Sequence, residues 1–98
     1  MKREILIFRH FPTEGPGYLA RFLDRQGIPH RTVKIDAGEP VPESIADIPG
    51  LVFMGGPMSV NDPLPWIGPE LELLRRAVAG GVPVIGHCLG GQLLAKAL

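Results

Sequence analysis

The chain has 98 residues, of which 45% are hydrophobic and 20% charged, so it can bury the core of one small domain and is not a disordered chain. Ten basic residues balance ten acidic ones without a basic stripe, which argues against nucleic acid or an anionic membrane as partner. One cysteine cannot form an internal disulfide, and no apolar stretch approaches the roughly 20 residues that span a bilayer. A cytoplasmic protein is the default expectation.

The first half of the chain alternates between predicted strands and helices. A continuous apolar run at residues 5–8 is typical of a strand buried on both faces. Apolar residues at helical spacing predict a helix at 17–26, which Gly27 would end. The alternating segment 31–35 predicts a second strand, and residues 42–48 favour one or two helical turns.

The second half repeats this alternation. An apolar run at residues 51–54 predicts a third strand, which a glycine pair halts. Residues 69–79 form the strongest predicted helix. A fourth buried strand is expected at 82–85, followed by a helix at 91–98.

The helix predicted at residues 69–79 has recognisable terminal signals. Pro69 suits the first helical position, and Glu70 and Glu72 suit the positive N-terminal end of the helix. Apolar side chains on one face would pack on the core: Leu71, Leu74 and Val78.

Strands that alternate with helices imply a parallel sheet with helices on both faces. We therefore predict an α/β fold with three α-β-α layers, of flavodoxin-like type. The chain stops about two turns into its last predicted helix, without a stop signal or a closing strand. We expect residues 1–98 to be the N-terminal portion of one domain that continues beyond Leu98.

The segment GHCLG at residues 86–90 has the form G-x-nucleophile-x-G, directly after a predicted buried strand and before a helix. In such a nucleophile elbow, small flanking residues let neighbouring backbone pack close and the central side chain projects alone. The helix N-terminus would lower the pKa of the Cys88 thiol, and the N–H of Leu89 could bind an oxyanion. The alternative is that Cys88 is an inert core residue.

A second motif, GGPMS at residues 55–59, follows the third predicted strand. Glycines at the carboxyl end of a strand let a ligand approach the backbone closely. An exposed N–H at Gly55 or Gly56 could complete an oxyanion hole with Leu89. Taken alone, Gly-Gly-Pro is more commonly a simple turn.

Together, strand–GGPxS and strand–GxCxG–x–Q resemble the class I glutamine amidotransferases, especially members similar to the amidotransferase domain of GMP synthase. The resemblance implies that Cys88 is the nucleophile and that Gly56 and Leu89 supply the oxyanion N–H groups. It implies that main chain at Met58 lies near the substrate's α-carboxylate. Gln92 matches a position that contacts the substrate glutamine, although an ordinary helix-surface role is equally compatible.

The resemblance further implies a glutaminase reaction, in which the thiolate attacks the γ-carboxamide of glutamine, ammonia leaves, and water hydrolyses a γ-glutamyl thioester. Glutamine is the expected small-molecule partner, a synthase subunit or domain could accept the ammonia, and neither a metal nor another cofactor is implied. The family's catalytic His and Glu lie in a His-x-Glu element well beyond the cysteine, so we expect them after Leu98.

The three histidines of the chain do not replace that element well. His87 neighbours the nucleophile, but adjacent side chains at such a turn point apart. His10 could lie near the edge of the site, yet a plain loop histidine is favoured, and His30 is interpreted as structural.

The segment around Asn61, Asp62 and Trp66 could wall or cover the pocket. A Pro-rich connector, with Trp66 covering the core, explains the same residues equally well.

Three alternative functions remain compatible with the sequence. A γ-glutamyl peptidase would share both the fold and the thioester chemistry. A hydrolase related to dienelactone hydrolase could carry a cysteine in a similar elbow, although the Gly-Gly-Pro strand end is not expected there. A catalytically silent amidotransferase-like module would keep the fold alone.

Overall fold

A computed structural model describes residues 3–12, 15–45, 47–56, 61–86 and 89–98. Four strands and three helices alternate along the chain in these bounds: β1 Ile5–Arg9, α1 Gly17–Arg25, β2 His30–Lys34, β3 Leu51–Phe53, α2 Ile67–Ala79, β4 Val84–Gly86 and α3 Leu89–Ala97. Helix α1 ends at Arg25, one residue before its predicted end, and the predicted stop residue Gly27 adopts a left-handed φ of 68°, which costs other residues more.

The four strands form one parallel sheet in the order β2-β1-β3-β4. In the register of the central strands, Phe8 of β1 lies opposite Phe53 of β3, which lies opposite Gly86 of β4. Because all four strands point the same way, their carboxyl ends share one edge of the sheet. This confirms the predicted parallel sheet.

Helices cover both faces of the sheet. On one face, Leu23 of α1 packs with Ile7 and Val52. On the other, α2 and α3 bury a larger apolar cluster, in which the rings of Phe8 and Phe53 stack with their centroids 4.5 Å apart. The three-layer α-β-α, flavodoxin-like fold is therefore confirmed.

Helix α2 begins two residues earlier than predicted, at Ile67, so that Pro69 is its third residue rather than its first. The first N–H groups of a helix have no intrahelical acceptor, so proline is tolerated there. Leu71 and Leu74 are buried as predicted, but the buried face is rotated at its C-terminal end: Val78 is 40% exposed, whereas Leu73 and Ala77 are buried.

Strand β4 is later and less buried than predicted. Val82 donates its N–H to the carbonyl of Ala77 at the end of α2, so the strand starts only at Val84. Ile85 lies opposite Val52 but is 58% exposed. Among the described residues, β4 lies at the edge of the sheet, and α1 packs over β1 and β3 on this face without reaching it.

The helical turns predicted at residues 42–48 are not formed in the described part of that segment, where a single turn joins the Ile48 N–H to the Ile45 carbonyl. A short 3-10 helix, Ile35–Ala37, instead follows β2 directly, and Gly38 ends it with a φ of 88°. The predicted strand at 31–35 is accordingly shifted by one residue, because Ile35 already belongs to this helix.

Candidate active site

The described ends of the two sequence motifs lie at the carboxyl edge of the sheet. Gly55 and Gly56 follow β3, and α3 follows the adjacent strand, β4. Since β3 and β4 are neighbouring parallel strands, both motifs emerge on the same side of the molecule. His87, Cys88 and Met58 lie outside the described residues, so their assigned roles stay predictions.

Gly90, in the first turn of α3, lies against the end of β3. A methyl group at Gly90 would overlap the carbonyl oxygen of Phe53 and would lie 2.8 Å from the Phe53 Cβ. Such contacts with backbone cannot be relieved by rotating a side chain. Only glycine therefore lets α3 begin this close to β3.

Four further predicted site residues belong to the segments next to this contact. Gly55 is buried and Gly56 is half-buried. Leu89 is the first residue of α3, and Gln92 is exposed on the same helix. The backbone of both oxyanion candidates thus belongs to the two segments that Gly90 and Phe53 bring together.

His10 follows β1 and is not the plain loop histidine that was predicted. Its side chain and that of Glu70 on α2 are both fully buried, and His10 Nε2 lies 2.7 Å from Glu70 Oε1. The other ring nitrogen, Nδ1, lies 2.9 Å from the carbonyl oxygen of Met54. His10 therefore links α2 to the residue that precedes Gly55.

Glu70 lies in the first turn of α2, as predicted, and it is fully buried there. Burial raises the pKa of its carboxyl group, and the hydrogen bond and charge of His10 oppose that rise. Its second oxygen, Oε2, has no hydrogen-bond partner among the described residues. A buried carboxyl group with one oxygen unpaired favours sharing a proton over carrying a full charge.

Trp66 contacts His10 and packs against the core, which is one of its two predicted roles. Its ring stacks on the imidazole with 4.9 Å between centroids. A role in walling the active-site pocket stays a prediction. Trp66 also lines a cleft of about 510 Å³ beyond the end of β2, together with residues 38–41, Pro65, Pro69, Ile35 and Glu43. This cleft includes neither Asn61 nor Asp62.

At the same edge, the guanidinium of Arg9 at the end of β1 donates two hydrogen bonds to the Asp36 carboxylate, each of 2.8 Å. This guanidinium lowers the pKa of the Asp36 carboxyl group, chiefly through hydrogen bonding. A bidentate pair of this kind fixes the orientation of both side chains. It ties β1 to the 3-10 helix that follows β2.

Across the part of the chain that the structure describes, no helix is long and apolar enough to cross a membrane. Within the same residues, no group of three or more His, Cys, Asp or Glu side chains is arranged to hold a metal ion.

His30, interpreted as structural, forms a hydrogen bond between its Nε2 and the Asp24 carboxyl group at 2.8 Å.

Comparison with known proteins reveals close structural and sequence relatives. A glutamine amidotransferase from Methylobacillus flagellatus superposes with a TM-score of 0.94 and 50% identity, covering 99% of this chain and 39% of that one. The glutamine amidotransferase-like protein YfeJ of Salmonella typhimurium is 31% identical over 94 residues, which are 91% of this chain and 39% of that protein.

Pyridoxal 5'-phosphate synthase subunit PdxT of Parafrankia is 46% identical over 52 residues, which are 53% of this chain and 26% of that subunit. The chain therefore spans well under half the length of each of these relatives. Residues 18–98 match the family model of class-I glutamine amidotransferases. On this match the chain belongs to the class-I glutamine amidotransferase family.

Proposed function

We propose that the protein carrying this chain is a glutaminase that releases ammonia from glutamine, with Cys88 as its nucleophile. The observation that carries the proposal is the packing of Gly90 on the Phe53 carbonyl. It joins the start of α3 to the strand that leads into Gly55 and Gly56. The segments bearing the proposed nucleophile and oxyanion donors thus originate at adjoining points of one sheet edge.

In the proposed reaction, the Cys88 thiolate attacks the γ-carboxamide carbon, and the carbonyl oxygen becomes an oxyanion. The backbone N–H groups of Gly56 and Leu89 would stabilise that charge. The C–N bond then breaks, the nitrogen takes up a proton and leaves as ammonia, and a γ-glutamyl thioester remains. Water cleaves the thioester, which releases glutamate and regenerates the thiol.

The N-terminus of α3 supports the first step. Helix α3 begins at Leu89, directly after Cys88, and the N-terminal end of a helix favours a negative charge nearby. This field would raise the thiolate fraction at neutral pH. The proton donor and base are proposed to be the family's His and Glu, supplied from beyond residue 98.

Substrate binding is proposed to involve residues near the same edge. Main chain at Met58 would approach the α-carboxylate of glutamine, and Gln92, exposed on α3, would contact the substrate. Gly55 would give the backbone room to approach it.

The released ammonia is proposed to serve a synthase subunit or domain. One relative, PdxT, is named as a subunit of pyridoxal 5'-phosphate synthase, which supports a paired arrangement in this family. The sequence resemblance favours a role like that of the amidotransferase domain of GMP synthase. We propose that this role is carried out in the cytoplasm.

The test is ammonia release from glutamine by the complete protein encoded by the gene that contains this sequence. We expect Cys88→Ala and Cys88→Ser to lower kcat by at least about 10³-fold, as removal of a catalytic nucleophile does. Both variants should keep the thermal midpoint of the parent. The 98-residue chain alone should release little ammonia, because general acid–base help is worth about 10²–10⁴-fold.

Two results would contradict the proposal. A folded parent protein that releases no ammonia would favour a silent module. Faster hydrolysis of γ-glutamyl peptides than of glutamine would favour the peptidase.

A further inference from the structure

The proposed glutaminase mechanism does not use the buried His10–Glu70 pair. Burying two ionisable side chains is costly unless their geometry is well satisfied. Here both side chains are fully buried, and Trp66 stacks on the imidazole ring. The hydrogen bonds of the pair show which part of the backbone it holds.

The hydrogen bonds of the His10–Glu70 pair determine how many protons it carries. The Met54 carbonyl oxygen can only accept, so His10 Nδ1 carries a hydrogen and donates it across 2.9 Å. At 2.7 Å, His10 Nε2 and Glu70 Oε1 must then share one further proton, since two lone pairs would repel. With that proton on either atom, the pair as a whole is neutral, which suits its burial.

Met54 is held through both of its backbone polar groups. Its N–H donates to the Phe8 carbonyl at 3.0 Å, and its carbonyl oxygen accepts from His10. Phe8 and His10 belong to β1 and the residue that follows it, so both bonds lie on the β1 side of β3.

The direction of the next peptide group follows from this. In a planar trans peptide the C=O and N–H point in opposite directions. The Met54 carbonyl points towards β1, so the Gly55 N–H points towards β4, which flanks β3 on its other side. That is the side of β3 on which β4 leads to α3.

We propose that His10, held in place by Glu70, is a positioning residue: it fixes the Met54–Gly55 peptide and so sets how the backbone enters Gly56, whose N–H is the proposed oxyanion donor. The inference rests on the proposed glutaminase function. Glu70 is anchored on α2 and orients the ring, the ring holds the Met54 carbonyl, and the carbonyl sets the peptide. Neither side chain needs to touch the substrate.

The experiment compares His10→Asn with His10→Gln in the complete protein. The amide nitrogen of asparagine matches Nδ1 and can still donate to Met54. The amide of glutamine matches Nε2, so it can contact Glu70 but leaves the Met54 carbonyl without its donor. His10→Asn leaves the Glu70 carboxyl group unpaired, and His10→Gln leaves the Met54 carbonyl unpaired. Because each variant has one unpaired buried group, we expect similar losses in the free energy of unfolding. Val33→Ala, at the buried position of β2, controls for general destabilisation.

We expect His10→Gln to lower kcat for ammonia release by about 10–100-fold, as misplacing oxyanion donors does. Because oxyanion contacts form only in the transition state, KM should change by less than about threefold. His10→Asn and Val33→Ala should keep kcat within about threefold of the parent. Amide hydrogen exchange at Gly55 should be faster in His10→Gln alone.

Equal losses of kcat in His10→Asn and His10→Gln, or losses that follow the thermal midpoint as in Val33→Ala, would overturn the inference. If the parent releases ammonia in a Cys88-dependent way and His10→Gln does not affect it, only this inference fails. If the parent releases none, the proposed function fails instead. In that case amide hydrogen exchange still tests the inference: an unchanged exchange rate at Gly55 in His10→Gln would overturn the positioning role.

Discussion

The α-carbon of Gly90 packs directly against the backbone carbonyl group of Phe53, where the first turn of α3 meets the end of β3. No side chain fits between the two segments. The start of α3 and the strand that leads to Gly55 are therefore fixed relative to each other by backbone contact.

Gly90→Ala is expected to lower both stability and ammonia release. Its methyl group would overlap Phe53 backbone, and overpacking of this kind costs about 1–3 kcal/mol. Shifting α3 away from β3 would also separate the proposed oxyanion donors. The measurements are urea unfolding and glutaminase kcat on the complete protein.

Gly68→Ala is the matched control for this variant. Gly68 is also helical, on α2, but a methyl group there would meet nothing within 4 Å. It should be neutral or stabilise by up to about 1 kcal/mol through helix propensity. Equal stability of the two alanine variants would show that α3 can move without cost.

Asp36→Asn should reduce stability at neutral pH. Because the Arg9 guanidinium lowers the pKa of Asp36, the ionised pair stabilises the folded state above the ordinary carboxyl pKa of 3.8. This contribution is lost as pH falls through the lowered folded value. The difference in unfolding free energy between parent and variant should therefore shrink in strong acid, and also with added salt.

Glu72→Gln provides the comparison for that pH series. Glu72 pairs with Arg75 at 3.7 Å, and both side chains are more than half exposed, so its loss should be nearly silent. A pH-independent difference for Asp36→Asn, or one equal to that of Glu72→Gln, would contradict the assigned role of the Arg9 pair.

Leu74→Ala and Val78→Ala test which face of α2 is buried. Leu74 is fully buried, whereas Val78 is 40% exposed. Truncating the buried leucine should cost about 2–5 kcal/mol, and truncating Val78 should change stability by less than about 0.5 kcal/mol. Chemical denaturation of both variants distinguishes this packing from the face predicted by spacing alone.

The fold was largely predictable because its strands are apolar runs separated by clear glycine and helix signals. Local pattern could not give the rotation of α2, since Val78 and Ala77 are both apolar and only the neighbouring layers decide which of them is buried. It also could not show that Ile85 faces outward, because an edge strand and a central strand can have the same apolar sequence.

The candidate site was predictable only where its residues are neighbours in the sequence. The motifs at Gly55-Gly56 and Gly86–Gly90 follow strands directly, so parallel order alone brings them to one edge. His10 and Glu70 are 60 residues apart, and a glutamate near a helix start is ordinarily explained by the helix dipole. Their pairing depends on how α2 lies over the end of β1, which no short-range pattern encodes.

Cys88 should react faster with iodoacetamide near neutral pH than an unperturbed thiol does. It directly precedes α3, and a helix N-terminus stabilises the thiolate. The rate against pH should therefore rise at a lower pH in the folded complete protein than in the same protein unfolded in urea. Mass spectrometry of the peptide that contains Cys88 follows this thiol alone.

The unfolded state is the internal reference for this titration, because the sequence is the same and the helix is absent. Gly90→Ala adds a second comparison, since displacing the start of α3 should move the midpoint back towards the ordinary thiol value. A midpoint in the folded protein equal to or above that in urea would contradict an activated thiolate. In that case Cys88 behaves as a buried, inert cysteine, and the proposed nucleophile would have to be abandoned.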